Sequence, residues 1–108
     1  MFMKKEDTIL KNPMSGVRFR TIAHSDNTHL TEFFLEKGAT IPMHNHPNEQ
    51  TGFLLSGRMN FTIDGEFFEA FPGDGWCISG DVKHGVEVLE DSVVIEVFSP
   101  PREDYLNL

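Results

Sequence analysis

The stretch GATIPMHNHPNEQTGFLLSG, residues 38–57, carries two histidines in an H-x-H pair, His44 and His46. On a β-strand, residues two apart project from the same face, so both imidazoles can reach one metal ion. A third histidine, His84, ends a second stretch, GDGWCISGDVKH, at residues 73–84. His84 can join the pair only in a fold that brings a second strand alongside the first.

Short β-branched and aromatic segments, bounded by turn residues, occupy the rest of the chain. The dipeptide Asp64-Gly65 predicts a type I′ hairpin turn, which requires positive φ at both central residues. The tripeptide Glu90-Asp91-Ser92 predicts a second turn, and no segment shows a helical period. Strands are predicted at residues 17–23, 30–35, 50–56, 59–63, 66–71, 86–89 and 93–98.

One all-β domain accounts for the length and the strand spacing. A chain of 108 residues supplies a single hydrophobic core. Many short strands without alternating helices, together with 10 phenylalanines and 9 glycines, predict an antiparallel β-barrel. The core of the domain is placed at about residues 15–99, and the first ten or so residues and the tail at 100–108 are expected to be arms.

The net charge of −8, from 17 acidic and 9 basic residues, argues against nucleic acids and anionic membranes as partners. An anionic ligand would need a local cation or a metal ion to offset this field. The lone Cys77 excludes an intrachain disulfide and a thiolate-rich metal site, and we interpret it as a small buried apolar residue. No apolar run resembles a transmembrane helix or a signal peptide, so a cytoplasmic location is expected.

The two histidine-containing stretches resemble the paired motifs of the cupin superfamily. The first motif has a glycine, an H-x-H pair, a glutamate and a second glycine in fixed order, and four of its positions are matched by Gly38, His44, His46 and Gly57. Gly73 and His84 match the second motif. The resemblance covers about half of the chain. It implies a single-domain cupin, a conserved β-barrel or jelly roll, with a metal ion in its wider mouth.

Four positions depart from the cupin motifs. Gln50 stands where the first motif has its glutamate, and Ser79, Asp81 and Val88 replace a proline, a glycine and an asparagine of the second. Glu49 is an alternative ligand if the loop spacing shifts. We favour Gln50, because it lies at the motif spacing after the H-x-H pair and because adjacent residues on an extended segment point in opposite directions.

The implied metal ligands are His44, His46, Gln50 and His84. Three imidazoles and an amide are neutral, so a divalent ion would keep its full positive charge, act as a strong Lewis acid and attract anionic oxygen ligands. These donors suit Zn, Ni, Mn, Co or Fe(II) without choosing among them, and they do not reproduce the two-His-one-carboxylate site of many iron oxygenases. A surface H-x-H pair without a metal is the ordinary alternative for the two histidines taken alone.

Further segments resemble the pectin-degradation cupins of the KdgF family: HSDN at 24–27, MHNHPNEQ at 43–50, LSG at 55–57, FTIDGE at 61–66 and FSPPREDYL at 98–106. Members of that family linearise 4,5-unsaturated monouronates from pectin and alginate with a His-His-Gln-His metal site. The resemblance covers nearly the whole chain. It implies a metal-dependent conversion of such sugar acids into linear 4-deoxy-5-keto-uronates.

The same family has a functional cluster of the form Asp-x-Phe-x-Pro-x-Arg on its last strand. Phe98, Pro100 and Arg102 match it, and Glu96 replaces the aspartate with a carboxylate one methylene longer. The resemblance therefore implies catalytic roles for Glu96 as proton carrier, Phe98 as wall and Arg102 as clamp for the substrate carboxylate.

The residue pattern itself bears on Glu96 as well. Glu96 and Phe98 lie two apart on one predicted strand and share a face, which indicates the barrel interior. The alternatives are a solvated outer face for Glu96 and a surface role for Arg102.

Two other classes of function remain open. A non-catalytic cupin that binds a sugar or an effector would share the metal site, and so would an Fe(II) dioxygenase, since one barrel supports many functions.

Stand-alone small cupins usually pair through sheet edges, so a homodimer is expected, with the N-terminal arm a candidate for exchange. We interpret the remaining aromatic residues as core packing or pocket lining (Phe53, Phe61, Trp76) and two histidines as ordinary polar residues near strand ends (His24, His29).

Overall fold

A computed structural model describes all residues, 1–108, with eight antiparallel strands in one curved sheet. The sheet order is β1-β2-β3-β8-β5-β6, with β4 added on β8 and β7 on β5. This architecture confirms the predicted all-β jelly-roll barrel. The strands are β1 (Lys11–Met14), β2 (Val17–His24), β3 (His29–Leu35), β4 (Thr40–His44), β5 (Glu49–Ile63), β6 (Glu66–Ala70), β7 (Gly75–Ile78) and β8 (His84–Ser99). A 3-10 turn (Lys5–Asp7) precedes them, and a short helix, α1 (Glu103–Leu106), follows.

Strands β5 and β8 are the longest, with 15 and 16 residues, and they pair along most of their length. The first half of β5 pairs with β7 and the second half with β6, while β8 pairs first with β4 and then with β3. Both strands therefore run through both halves of the barrel, where the sequence patterns predict four shorter strands.

The predicted turn at Glu90-Asp91-Ser92 is wrong, because these residues lie within β8. The strand pair bends here instead of reversing, next to Gly57, where the pairing register shifts. Gly57 has a φ of 99°, and a Cβ atom there would overlap Ser92. The Ser92 hydroxyl donates to the Glu90 carbonyl at 2.7 Å and accepts from the Arg58 amide at 3.2 Å, so it satisfies backbone groups beside the irregular ladder.

The predicted hairpin turn is confirmed, because Asp64 and Gly65 have φ values of 50° and 80° and join β5 to β6. Three short strands, β1, β4 and β7, are not predicted by the sequence patterns. Strands β1 and β4 contain proline and β7 begins with glycine, so their local sequences indicate turns. Their strand geometry comes from pairing with β2, β8 and β5.

The hydrophobic core lies inside the barrel and follows the alternation of its strands. Residues of β3 alternate strictly between buried and half-buried, as expected for a strand with one face toward the core. Phe19 has no exposed surface, and burial of such a ring contributes about 1.5–3 kcal/mol relative to exposure. Phe61 belongs to this core, whereas Phe53 is exposed on the outer surface.

Cys77 is exposed, so its prediction as a buried apolar residue is wrong. In β7, Ile78 is buried and Trp76 is half-buried, while Cys77 lies between them. The period of two along a strand therefore puts Cys77 on the outer face. The sequence patterns do not predict β7 as a strand, so they do not reveal this alternation.

The C-terminal tail is not an extended arm, contrary to expectation, because it packs back across the barrel mouth. The ring centroids of Tyr105 and Phe19 lie 4.7 Å apart. The Lys11 ammonium donates to the carbonyls of Tyr105 and Leu106 at 3.1 Å each, and the Asn48 amide donates to the Pro100 carbonyl at 2.7 Å. The first ten residues are mostly exposed. No helix is long and apolar enough to cross a membrane.

Candidate metal centre and active site

The structure brings the three predicted histidines together at one end of the barrel. His44 ends β4, His46 lies in the loop to β5, and His84 begins β8. His44 and His84 are direct partners in the pairing of β4 with β8. The ligand atoms of all three side chains lie within 4.8 Å of one another. This spacing is compatible with one shared metal ion.

Each of the three imidazoles is oriented by a backbone carbonyl two residues away. The Nδ1 atoms of His44, His46 and His84 bond to the carbonyl oxygens of Pro42, Asn48 and Val82 at 2.8, 2.9 and 2.8 Å. A carbonyl only accepts, so each Nδ1 carries a proton and Nε2 is the nitrogen left to bind a metal. Such bonds to the second nitrogen are typical of metal-binding histidines.

The His84 ring is poised as an uncharged ligand. It is buried, and its Nε2 atom has no hydrogen-bond partner. A buried acceptor without a partner is costly, and a metal ion at this position would satisfy it. Burial lowers the pKa of His84 to about 4 and also lowers the pKa of His46. Both rings are therefore neutral at physiological pH, as a metal requires.

Gln50 completes the cluster through its side-chain carbonyl. Its Oε1 atom lies 2.8 Å from Nε2 of His46, and both atoms are acceptors once Nδ1 of His46 carries the proton. Two facing acceptors repel unless a cation lies beside both. Glu49, the alternative ligand, is exposed and lies 3.8 Å from the Cys77 sulfur on the outer face. The residues present thus fit a divalent ion, with His44, His46, His84 and Gln50 as neutral donors.

Glu96 lies in the barrel interior with only 7% of its surface exposed, so the alternative of a solvated outer face is wrong. The Gln50 amide nitrogen lies 3.3 Å from each carboxyl oxygen, and the Trp76 indole nitrogen lies 3.3 Å from Oε1. Burial raises the pKa of Glu96 to about 8, although these donors oppose the shift. Gln50 thereby joins the candidate metal site to Glu96, whereas a glutamate at position 50 would set two carboxylates against each other.

Arg102 is buried and held from several sides, so the alternative of a surface arginine is wrong. Its carbon Cζ lies 3.9 Å from the ring centroid of Tyr105 and 5.2 Å from that of Phe98, within the range of cation–π attraction. Burial alone would lower the pKa of Arg102, but hydrogen bonds to Asp104 outweigh it and raise that pKa. The guanidinium therefore remains a cation at the edge of the site.

Two adjoining cavities give access to these groups. A narrow cavity of about 50 Å³ is lined by three of the four candidate ligands and by the candidate catalytic residues: His44, Gln50, His84, Glu96, Phe98 and Arg102. An outer cleft of about 440 Å³ shares His44, Arg102 and Tyr105 as walls and adds Asp104 of the tail. The narrow cavity has room for about one or two water molecules. The outer cleft has room for a small organic ligand.

His29 has a role that the sequence patterns miss. It is fully buried rather than an ordinary polar residue, and its Nδ1 accepts the backbone N–H of Arg102 at 3.2 Å. Its Nε2 lies 2.8 Å from the Thr21 hydroxyl, so the proton resides on Nε2. Burial lowers the pKa of His29 to about 4. His29 and Arg102 lie 73 positions apart in the chain, and no local pattern links them. His24, by contrast, is exposed as expected.

A family match and a sequence relative both place this chain among the cupins. Residues 31–99 match the family described as Cupin domain. The chain is 32% identical over 93 residues to the pectin degradation protein KdgF of Dickeya dadantii, which covers 84% of both chains.

Solved structures agree with this match. KdgF from a Halomonas species has a TM-score of 0.89 at 27% identity and covers 97% of both chains. An RmlC-like cupin from Shewanella frigidimarina has a TM-score of 0.90 at 24% identity, covering 96% of this chain and 94% of that one. The second likeness concerns the fold alone.

Proposed function

Because this chain belongs to the cupin family and, within it, to the family of the KdgF proteins, we propose that it converts 4,5-unsaturated monouronates into linear 4-deoxy-5-keto-uronates. The observation that carries the proposal is a cluster of three histidines and Gln50 beside one cavity that a buried carboxyl group and a buried guanidinium also line. A pectin-degradation relative supplies the substrate class.

The proposed reaction is an isomerisation that consumes no co-reactant. The bond between C1 and the ring oxygen of the cyclic hemiacetal breaks, and C1 becomes an aldehyde as its hydroxyl loses a proton. The ring oxygen keeps the bonding electrons and becomes the oxygen of an enolate at C5. A proton then adds to C4, and the enolate becomes a ketone. One proton leaves and one returns, so atoms and charge balance.

Arg102 is the proposed clamp for the uronate carboxylate. Its only side-chain hydrogen bonds go to Asp104, from Nε and one NH2 hydrogen, so its NH1 group is available to a ligand. A planar guanidinium can bind a carboxylate through two parallel bonds. This local cation offsets the net charge of −8, which would otherwise repel an anionic substrate. Phe98 packs beneath the guanidinium and forms the wall of the cavity.

Glu96 is the proposed proton carrier. It lines the same narrow cavity as the candidate metal ligands, and the Gln50 amide fixes its carboxyl group. In the proposed mechanism Glu96 carries the proton that reaches C4, and general acid–base catalysis of this kind accelerates a reaction by about 10²–10⁴-fold. A bound divalent ion would supply Lewis acidity toward the negative charge that develops on the ring oxygen.

The proposal is tested by following the absorbance of the conjugated alkene. Purified protein is loaded separately with Zn, Ni, Mn, Co or Fe(II) and mixed with unsaturated monomers derived from galacturonate or guluronate. We expect the alkene signal to fall much faster than in the spontaneous reaction, and the linear keto acid to accumulate. The Glu96→Gln variant should lose most of the acceleration.

Other outcomes separate the competing functions. Saturable binding of the monouronates without turnover would favour a sugar-binding or effector-binding cupin. Oxygen uptake by the iron-loaded protein would favour a dioxygenase. An alkene signal that decays at the spontaneous rate with every metal contradicts the proposed reaction.

A further inference from the structure

Glu96 is held unevenly by its two donors. The Gln50 amide lies 3.3 Å from both carboxyl oxygens, whereas the Trp76 indole N–H donates to Oε1 alone, at 3.3 Å. Oε1 therefore has two donors and Oε2 has one. Oε2 is therefore the carboxyl oxygen that has a lone pair free to carry the transferred proton.

Gly52 makes this contact possible. In the sheet, Gly52 of β5 lies between Trp76 of β7 and Glu96 of β8, and it is the direct partner of both. The indole lies flat across the glycine, and a Cβ atom at position 52 would overlap the indole nitrogen of Trp76. On its inner side the indole packs against Phe61, with ring centroids 4.5 Å apart. Any side chain at position 52 would push the indole away from the carboxyl group.

We propose that Trp76, with the clearance provided by Gly52, is a positioning residue that fixes the rotamer of Glu96 and directs Oε2 to the reacting carbon. This inference rests on the proposed function, in which Glu96 carries the proton. A glutamate has one more rotatable bond than an aspartate, so a productive geometry requires more restraint. The indole supplies that restraint through its hydrogen bond to Oε1.

The decisive variant is Trp76→Phe, which keeps an aromatic ring and removes the N–H donor. We expect kcat to fall about tenfold, because loss of one hydrogen bond to a carboxyl group is of that order. KM and the bound metal content should stay within about twofold of wild type, because the side chain of Trp76 hydrogen-bonds to Glu96 and not to Arg102 or the histidines. A wild-type kcat, or a rise in KM at unchanged kcat, would overturn the inference.

A second arm tests whether Gly52 acts through the indole. We expect Gly52→Ala to lower kcat about as much as Trp76→Phe, and the double variant to be no worse than about twofold below either one. Fully additive losses would show that Gly52 has a separate role and would overturn its part in the inference. Thermal melting of each variant shows whether it is folded.

A third arm does not depend on catalysis. Trp76 is the sole tryptophan of the chain, so the intrinsic tryptophan fluorescence comes from this indole alone. Glu96→Leu should shift the emission maximum to shorter wavelength, because the indole loses its hydrogen-bond acceptor, while the control Glu87→Leu on the exposed face of β8 should not. If wild type has no activity on monouronates but this shift is seen, the contact stands and the proposed function fails. An unchanged emission maximum in Glu96→Leu overturns the positioning role itself.

Discussion

Asp104 binds the guanidinium of Arg102 side-on, through Nε at 3.0 Å and NH2 at 2.7 Å. The Arg102 side chain is almost completely buried, whereas that of Asp104 is largely exposed. The guanidinium is therefore fixed by one carboxylate on its side edge and keeps free donors on its end. This division allows a second carboxylate, that of the proposed substrate, to bind without displacing the first.

Replacing Arg102 with lysine should weaken substrate binding far more than it slows the chemical step. An ammonium keeps the charge but lacks the planar fork, so it cannot bond side-on to Asp104 and end-on to a uronate. We expect KM to rise about tenfold or more, with a smaller change in kcat, in initial-rate measurements. The matched control is Arg20→Lys, whose ion pair with Glu32 lies on β2 and β3. Equal KM values in the two variants would contradict the clamp.

Metal loading should stabilise the fold. A ligand at one hundred times its dissociation constant adds about 2.7 kcal/mol to the free energy of unfolding. We therefore expect a chelator to lower the melting temperature of metal-loaded protein by several degrees. His84→Ala should abolish both this effect and the bound metal found by elemental analysis. The control His24→Ala, at an exposed position, should retain both, and metal bound equally by His84→Ala would rule out this ligand.

Gln50→Glu should separate metal binding from catalysis. A carboxylate at position 50 is a stronger ligand for a divalent ion, so metal content should stay the same or rise. It would remove the N–H that Glu96 accepts and place two carboxylates side by side. We expect kcat to fall at least about tenfold. A variant with full metal and full kcat would show that the amide of Gln50 is dispensable.

His29 should make the fold less stable in mild acid. Its pKa is about 4 in the folded chain against 6.5 in the unfolded one, chiefly because of burial. As the pH falls from 6.5 to 4, the unfolded state binds a proton at His29 that the folded state does not bind, so the free energy of unfolding decreases. The raised pKa of Glu96 acts in the opposite direction below pH 8.

The effect of His29 is isolated by comparing wild type with His29→Gln. We expect the free energy of unfolding, measured in urea between pH 7 and 4, to depend less steeply on pH in the variant. His24→Gln should follow wild type, since His24 is exposed. Parallel curves for His29→Gln and wild type would mean that His29 has the same pKa in the folded and the unfolded chain, which contradicts this prediction.

We expect the chain to form a homodimer through an exposed apolar surface. Phe67 is 83% exposed, and together with Phe68 and Met43 it lines an outer groove of about 790 Å³. Exposed apolar patches of this kind are typical of protein interfaces. Light scattering should give twice the chain mass for wild type and the single mass for Phe67→Lys. A monomeric wild type would contradict this expectation.

Local patterns predict the strands whose residues alternate over five or more positions, and the Asp64-Gly65 turn that joins two of them. They also predict that Glu96 faces inward, because its neighbour Phe98 shares its face. They do not predict β1, β4 and β7, since proline and glycine obscure such short strands. Local patterns also do not predict that β8 continues through Glu90-Asp91-Ser92. Three consecutive polar residues indicate a turn, and only the pairing with β5 shows that the strand bends here without ending.

Contacts between distant residues account for the rest of the site. Asp104 and Tyr105 gain their roles only when the tail folds back, and His29 gains its role only by meeting Arg102. A charged tail of nine residues has no periodicity that would reveal such docking. The H-x-H pair, by contrast, needs only strand geometry to point two imidazoles the same way.

The pairing of β5 with β8 through both halves of the barrel has a kinetic consequence. Gln50 lies at one end of the β5–β8 pairing, opposite Phe98, and His84 lies at the other end, opposite Ile63. The two side chains can therefore meet only when the barrel is nearly closed. A metal ion can then bind only after the rate-limiting assembly of the sheet. We expect the ion to leave the refolding rate almost unchanged and to slow unfolding. The ion would then prolong the lifetime of the folded protein without helping it to form.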